Sequence, residues 1–262
     1  MTGALSARLR EGSAAFGVTL TIPDPFVAEV FAAQSFDFLM IDTEHSPISM
    51  YRLQNQLIAL RTASASVLVR VPHNDPTAIM QVLDLGASGV VVPHVETAEE
   101  CSRAVRAAFY PPLGERGIGP RRAQRVGARG SYLRTANDAT MVVAMLESRL
   151  AVENVDEILR VQGLGGVIIG SADLAASLGH IGDQGQRDVV NAIDLIFDRC
   201  LAVNVPFGIY AASPEEAESL ARRGARLITV GSDLLFLEQQ MGRVAQQMAS
   251  VGRRRVSAAD DR

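Results

Sequence analysis

The chain contains no lysine; all 25 of its basic residues are arginine. Without a lysine amine there is no Schiff-base catalysis on a carbonyl, no pyridoxal phosphate attachment and no Walker-type phosphate loop. No nucleotide is expected as a cofactor. A carbanion formed here must be stabilised by a metal, by oriented dipoles or by arginine. Cysteine is also scarce. Cys101 and Cys200 are the only two in 262 residues, too few for a zinc–thiolate cluster. Both lie in helix-like segments and read as reduced core residues, which points to the cytoplasm. Apolar runs longer than a strand are missing, and Met1–Leu5 has no basic flank before an apolar core. Neither a membrane span nor a signal peptide is expected. A net charge of −4 gives no reason to expect nucleic acid or an anionic membrane as a partner.

What the chain does have is a rhythm. Apolar runs of strand length recur at Phe16–Ile22, Phe36–Ile41, Val67–Pro72, Gly89–Val95, Met141–Leu146, Gly166–Gly170, Val205–Ala211 and Leu227–Gly231. Helical patterns stand between them, opened by Asp24-Pro25, Asp75-Pro76, Ser213-Pro214 and a capping box from Thr97 to Glu100. Eight strands alternating with helices over this length is the count of a (β/α)8 TIM barrel. Residues 1–252 would form that single domain, with 253–262 a charged, frayed C-terminal tail. A doubly wound open sheet is the alternative, but no strand opens into a fingerprint glycine loop. The rhythm breaks once, at Tyr110–Asp138, a proline- and arginine-rich stretch too long for a plain connection.

In such a barrel, chemistry is sought at the C-terminal ends of the strands. Those ends carry Asp42, Glu44 and His45, then Arg70, His94, Glu147, Asp173, Ser232 and Asp233. Two consecutive apolar runs each finish on an acid, Glu147 and Asp173. Adjacent parallel strands lie ~4.8 Å apart, so both acids could ligate one hard cation. They could equally start or cap the helices that follow, and spacing leaves both readings open. Arg70 stands inside an apolar strand, where an unpaired guanidinium is costly, so a partner anion is expected. His73, His94 and His180 read as loop or structural histidines.

Seven stretches now form an ordered set. They are Asp42–Pro47 (DTEHSP), Val69–Pro76 (VRVPHNDP), Leu83–Ala87 (LDLGA), Tyr110–Gly117 (YPPLGERG), Leu146–Arg149 (LESR), Gly170–Leu174 (GSADL) and Thr229–Asp233 (TVGSD). Together they resemble the HpcH/HpaI aldolases, metal-dependent class II aldolases acting on pyruvate, from about Phe16 to Met248. The resemblance implies a divalent cation (Mg²⁺, Mn²⁺ or Co²⁺) held by Glu147 and Asp173. It implies Arg70 as stabiliser of the enolate oxygen, and His45, assisted by Asp84, as handler of the proton. Substrate would be met by Arg70, Asp42, Met145, Ser171 and Ala172. A Lewis acid with a fixed guanidinium, plus an imidazole base, is what forming an enolate from a methyl ketone needs. The enolate then adds to an aldehyde to give a 4-hydroxy-2-oxo acid, or the reverse. Among relatives such chemistry serves aromatic compound catabolism.

Three departures fall close to the site. Met145 stands where a glutamine is common, Ser171 where a proline is common, and Thr43 where a glycine is common. They bear on the acceptor aldehyde more than on the aldol step. The resemblance further implies a homo-hexamer, a trimer of dimers that exchanges its last helix. The apolar positions Leu234, Leu235, Leu237, Met241, Val244 and Met248 suit such packing. Arg116, Arg121, Arg122, Arg125, Arg129 and Arg134 would form ion pairs at a subunit interface or bind an anionic substrate group. Two other functions stay open: a related lyase on the same barrel (a hydroxydicarboxylate-CoA lyase or an oxaloacetate decarboxylase), and a non-catalytic keto-acid-binding barrel.

Overall fold

A computed structural model describes residues 4–126 and 131–260. Eight parallel strands close in sequential order into one barrel. They are β1 (Ala15–Leu20), β2 (Phe38–Asp42), β3 (Ser66–Arg70), β4 (Gly89–Val92), β5 (Met141–Leu146), β6 (Gly166–Ile169), β7 (Phe207–Ala211) and β8 (Leu227–Ser232). The strands read as unbroken apolar runs because both faces are covered: all residues of β2, β4, β5 and β6 are buried.

Register sorts the strand residues into two cores. Leu39, Val69, Val90, Val142, Val167 and Ile209 face outward against the helices. Phe38, Met40, Leu68, Val91, Val143, Met145, Ile168 and Leu227 fill the barrel. Helix α1 (Ala4–Arg10) plugs the base, where Leu5 and Leu9 join that inner cluster. Arg226 holds it there by donating to the Leu9 carbonyl at 3.0 Å.

The helices are α2 (Pro25–Ala32), α3 (Met50–Ala59), α4 (Pro76–Asp84), α5 (Ala98–Ala108), α6 (Ala123–Val126), α7 (Tyr132–Ala139), α8 (Arg149–Glu153), α9 (Val155–Ile158), α10 (Ser171–Ser177), α11 (Arg187–Ala202), α12 (Pro214–Arg222) and α13 (Asp233–Asp260). The capping box at Thr97 and Glu100 is present in full, as are the Asp24, Asp75 and Ser213 caps. Three segments differ from the pattern read in the sequence. Ala151–Val161 is not one helix but α8 and α9, broken at Asn154, whose side chain donates to the Glu96 carbonyl. A short α10 follows β6 directly. The last helix runs on to Asp260, further than its apolar stripe marks.

The Tyr110–Asp138 stretch is not irregular throughout, since it contains α6 and most of α7. Two of its arginines fasten it to the barrel's helix layer. Arg116 is 3% exposed, donates to Asp84 at 2.6 Å and stacks on the Tyr110 ring. Arg122 donates to the carbonyls of Leu57 and Leu85, the C-terminal ends of α3 and α4, where a cation is favoured. Arg129 lies outside the described residues. Among the described residues, no helix is long and apolar enough to cross a membrane.

Candidate active site

Asp42 ends β2 and Arg70 ends β3, paired across the register. The two side chains form a bidentate ion pair, Nε to Oδ1 at 2.9 Å and Nη2 to Oδ2 at 2.7 Å. Oδ1 also accepts the main-chain N–H of Glu44 at 3.0 Å and of His45 at 3.3 Å. One buried carboxylate thus fixes both the guanidinium and the turn that presents the next two residues. The remaining nitrogen of Arg70, Nη1, is 3.2 Å from Glu44 and 3.8 Å from the thioether sulfur of Met145. The anion expected for Arg70 is therefore a pair of carboxylates. Asp42 stands behind Arg70, its oxygens engaged, rather than open to a ligand.

Glu147 follows β5 and is almost fully enclosed, its side chain 2% exposed. It does not cap the next helix; Ser148 does. Its Oε1 accepts the main-chain N–H of His94 at 2.7 Å. His94 adopts a left-handed backbone, φ +51°, uncommon for a side-chain-bearing residue, and that turn aims its N–H at the acid. On the other side lies Gly170, where an added Cβ would collide with Oε2 and stand 2.8 Å from the Glu147 Cβ. Burial pushes the Glu147 carboxyl above its ordinary range, opposed by the His94 N–H and ring and reinforced by the Asp173 and Glu44 carboxylates. Glu44 is likewise raised, chiefly by burial, against the pull of Arg70.

Asp173 lies in the first turn of α10 and is exposed. No group of three or more His, Cys, Asp or Glu side chains among the described residues could by itself hold a metal ion. Glu147 and Asp173 gather negative charge around a space that a cation would relieve, with coordination left over for water or substrate oxygens. That donor set, all hard oxygen, fits a hard divalent cation.

A cavity of about 640 Å³ opens at this end of the barrel, lined by His45, Arg70, Met145, Ser171, Ala172 and Asp173 among others. The cavity thus meets His45, Arg70, Met145, Ser171, Ala172 and Asp173; Glu147 is enclosed just behind it against Gly170, and two expected residues stand apart. Asp42 is behind the wall. Asp84 is elsewhere: it ends α4, a helix that descends from the top of β3 to the base of β4, and its carboxylate is held by Arg116. Within one chain it cannot orient His45, which stands at the top with its side chain 63% exposed.

Two further residues join the site. His94 was read as a loop histidine, yet it carries the N–H that fixes Glu147, with its ring 3.4 Å from that acid and 3.8 Å from Glu44. Tyr210, on β7, registers with Thr229 on β8, and both face the cavity. Strand parity was the available signal for Tyr210; for His94 it was the strand-end position, which does not show the role of its main-chain N–H.

The family profile described as HpcH/HpaI aldolase/citrate lyase matches residues 17–239. A 2-keto-3-deoxy-L-rhamnonate aldolase of Klebsiella pneumoniae is 38% identical over 237 residues, covering 90% of this chain and 89% of that protein. The protein of the same name from Salmonella gallinarum is 37% identical over 240 residues, 90% of each chain. Among solved structures, an HpcH/HpaI aldolase/citrate lyase family protein from Burkholderia cenocepacia superposes with TM-score 0.90 at 33% identity, over 95% of this chain and all of that one.

Proposed function

The chain belongs to the HpcH/HpaI aldolase/citrate lyase family and is a carbon–carbon lyase of the pyruvate aldolase type. We propose that it joins pyruvate to a hydroxylated aldehyde, or cleaves the resulting 4-hydroxy-2-oxo acid, at the cavity above Arg70. The observation that carries this reading is a guanidinium buried among acids, rigidly held by Asp42 and facing a cavity that Asp173 also lines, with Glu147 enclosed behind Gly170 of its wall.

Glu147 and Asp173 would hold a divalent cation (Mg²⁺, Mn²⁺ or Co²⁺). When bound, it supplies Lewis-acid polarisation of the keto group of pyruvate. The other steps belong to the chain's own side chains. Arg70, already fixed by Asp42, needs no reorganisation to stabilise the oxygen on which negative charge develops. Its cost of orientation is met in folding, not in the reaction. His45, at the rim on a turn tied to Asp42, takes the proton from the 4-hydroxyl as the C3–C4 bond breaks in cleavage and passes a proton to the methylene carbon of the enolate; in addition the two transfers run in reverse. Asp84 could assist this imidazole only from another copy of the chain.

A homo-oligomer is part of the proposal, a hexamer built as a trimer of dimers with the last helix exchanged. What supports it is α13: 28 residues, about 42 Å long at the helical rise, with Leu237, Met241, Val244 and Met248 exposed along it. The relatives' names favour a deoxy sugar acid over the aromatic-catabolism acids that resemblance alone implies.

The test is deuterium incorporation from solvent into the pyruvate methyl group, followed by NMR with added Mg²⁺, Mn²⁺ or Co²⁺ and after EDTA. Exchange that requires the cation and is lost in Arg70→Ala is the expected result. No exchange with any of the three ions would refute the reading.

A further inference from the structure

Asp42 takes two of the three guanidinium nitrogens of Arg70. The third, Nη1, faces Glu44 at 3.2 Å and the sulfur of Met145 at 3.8 Å. No other methionine sulfur among the described residues has a hydrogen-bonding partner. A thioether is a weak acceptor, so this contact leaves most of the donor strength of Nη1 unused. That unused strength is what a substrate oxygen would draw on.

Met145 is the last inward residue of β5. Its companions inside the barrel, Met40 and Met141, do not reach the cavity, whereas Met145 lines it and brings the only sulfur to its wall. A small neutral oxidant can therefore meet this sulfur by the path the substrates take. The two cysteines do not compete for it. Both are buried, with thiols pushed up to about 12, and the reactive form of a thiol is the thiolate. Met50, Met241 and Met248 are exposed and open to oxidation, but none of them lines the cavity.

We propose that Met145 is an oxidation site through which hydrogen peroxide shuts the enzyme down. The inactivation rests on the aldolase reading of Arg70; the modification itself does not. A lone pair of the sulfur attacks one peroxide oxygen and the O–O bond breaks. The sulfur is oxidised by two electrons and keeps that oxygen as a sulfoxide. The departing hydroxide takes the proton of the transferred hydroxyl and becomes water. Negative charge builds on the transferred oxygen as the S–O bond forms, and Nη1 of Arg70 stands where it can stabilise that charge. The sulfoxide is polar where the thioether was not. An oxygen added on the side of Nη1 falls within hydrogen-bonding range, and the bond it accepts from the guanidinium is charge-assisted. It occupies the nitrogen that Asp42 leaves free, so pyruvate must compete for Arg70 with a group fixed to the wall beside it.

The experiment treats the full chain with hydrogen peroxide in Mg²⁺, a cation that does not decompose peroxide, and removes the excess with catalase. Two readouts are followed together over time: deuterium exchange into the pyruvate methyl group, and oxidation at each methionine by tandem mass spectrometry. Trypsin, cutting after Arg134 and Arg149, releases residues 135–149 with both Met141 and Met145, and fragmentation tells them apart. Expected is a loss of exchange of about tenfold or more at full oxidation, in step with the Met145 sulfoxide and not with Met241 or Met248. Met145→Leu, measured against its own untreated rate, should keep most of its exchange. If that variant does not fold, the wild-type time course decides alone. Exchange that survives oxidation of Met145, or a Met145 that stays reduced while Met241 and Met248 are oxidised, overturns the proposal. Equal loss in Met145→Leu overturns it too. In each of these cases the aldolase reading stands, because the untreated chain exchanges. Absence of exchange before any peroxide is added refutes the aldolase reading, and the inactivation with it.

Discussion

Glu147 is packed so closely against Gly170 that the glycine's missing side chain is part of the acid's position. Gly170→Ala should push the Glu147 carboxylate off the His94 N–H and away from Asp173. The expected outcome is at least a tenfold weaker Mn²⁺ affinity by calorimetry, with an overpacking cost of ~1–3 kcal/mol in unfolding. Unaltered affinity would show that Glu147 is not a ligand or that the backbone yields freely.

Asp42→Ala removes both hydrogen bonds to Arg70, whose side chain is 12% exposed. A buried pair broken at one partner costs about 3–5 kcal/mol. Glu44, 3.2 Å away, can recover part of this, so the lower end is expected by urea unfolding. Pyruvate KM should rise as well, because the guanidinium loses its fixed direction.

Glu147 carries a pH signature. Burial holds its folded carboxyl above the ordinary value of 4.5. For a carboxyl raised on folding, the folded state holds the proton more tightly, so stability falls as pH climbs from the unfolded value through the folded one. Without added cation, Glu147→Gln should therefore raise Tm at neutral pH and change little near pH ~4, below the unfolded pKa. Divalent cation should stabilise the wild type by mass action and not the variant. Part of the wild-type slope will persist in the variant, since Glu44 is raised in the same way.

Asp84→Asn tests the placement of that acid beside Arg116. The guanidinium is 1% and the carboxylate 22% exposed, so the loss should be on the order of 2 kcal/mol, below that of a fully buried pair. A denaturation midpoint equal to wild type would contradict the pair.

Burial pushes the Cys101 and Cys200 thiols up to about 12. Neither offers thiolate at pH ~8, so iodoacetamide should leave the native chain unmodified. Two adducts should appear by mass spectrometry after denaturation.

The barrel was legible because parallel strands covered on both faces leave unbroken apolar runs, and because proline and acid caps mark where helices begin. The need of Arg70 for an anion was legible from the cost of an isolated buried charge. Asp84 shows a different limit. Its motif marks the residue, but only its place at the end of a descending helix puts it at the base, away from His45. His94 was legible as a strand-end residue but not in its role, since its contribution is a main-chain N–H in a left-handed turn. Arg122 was equally hidden: it meets the carbonyl ends of two helices that come together only in the folded chain.

The carboxylate of Asp233, the first residue of α13, accepts the N–H groups of Thr21 and Ile22 and the Thr21 hydroxyl. These partners are 211 and 212 residues away in sequence. Contacts of such separation form late, after the loop-closure entropy between them has been overcome. A chain emerging from the ribosome therefore carries Asp42, Arg70 and Glu147 long before the ring that aligns them can close. The ring closes only with its last strand, and a chain that stops before β8 lacks both the β1–β8 pairing and the Asp233 clasp that complete it.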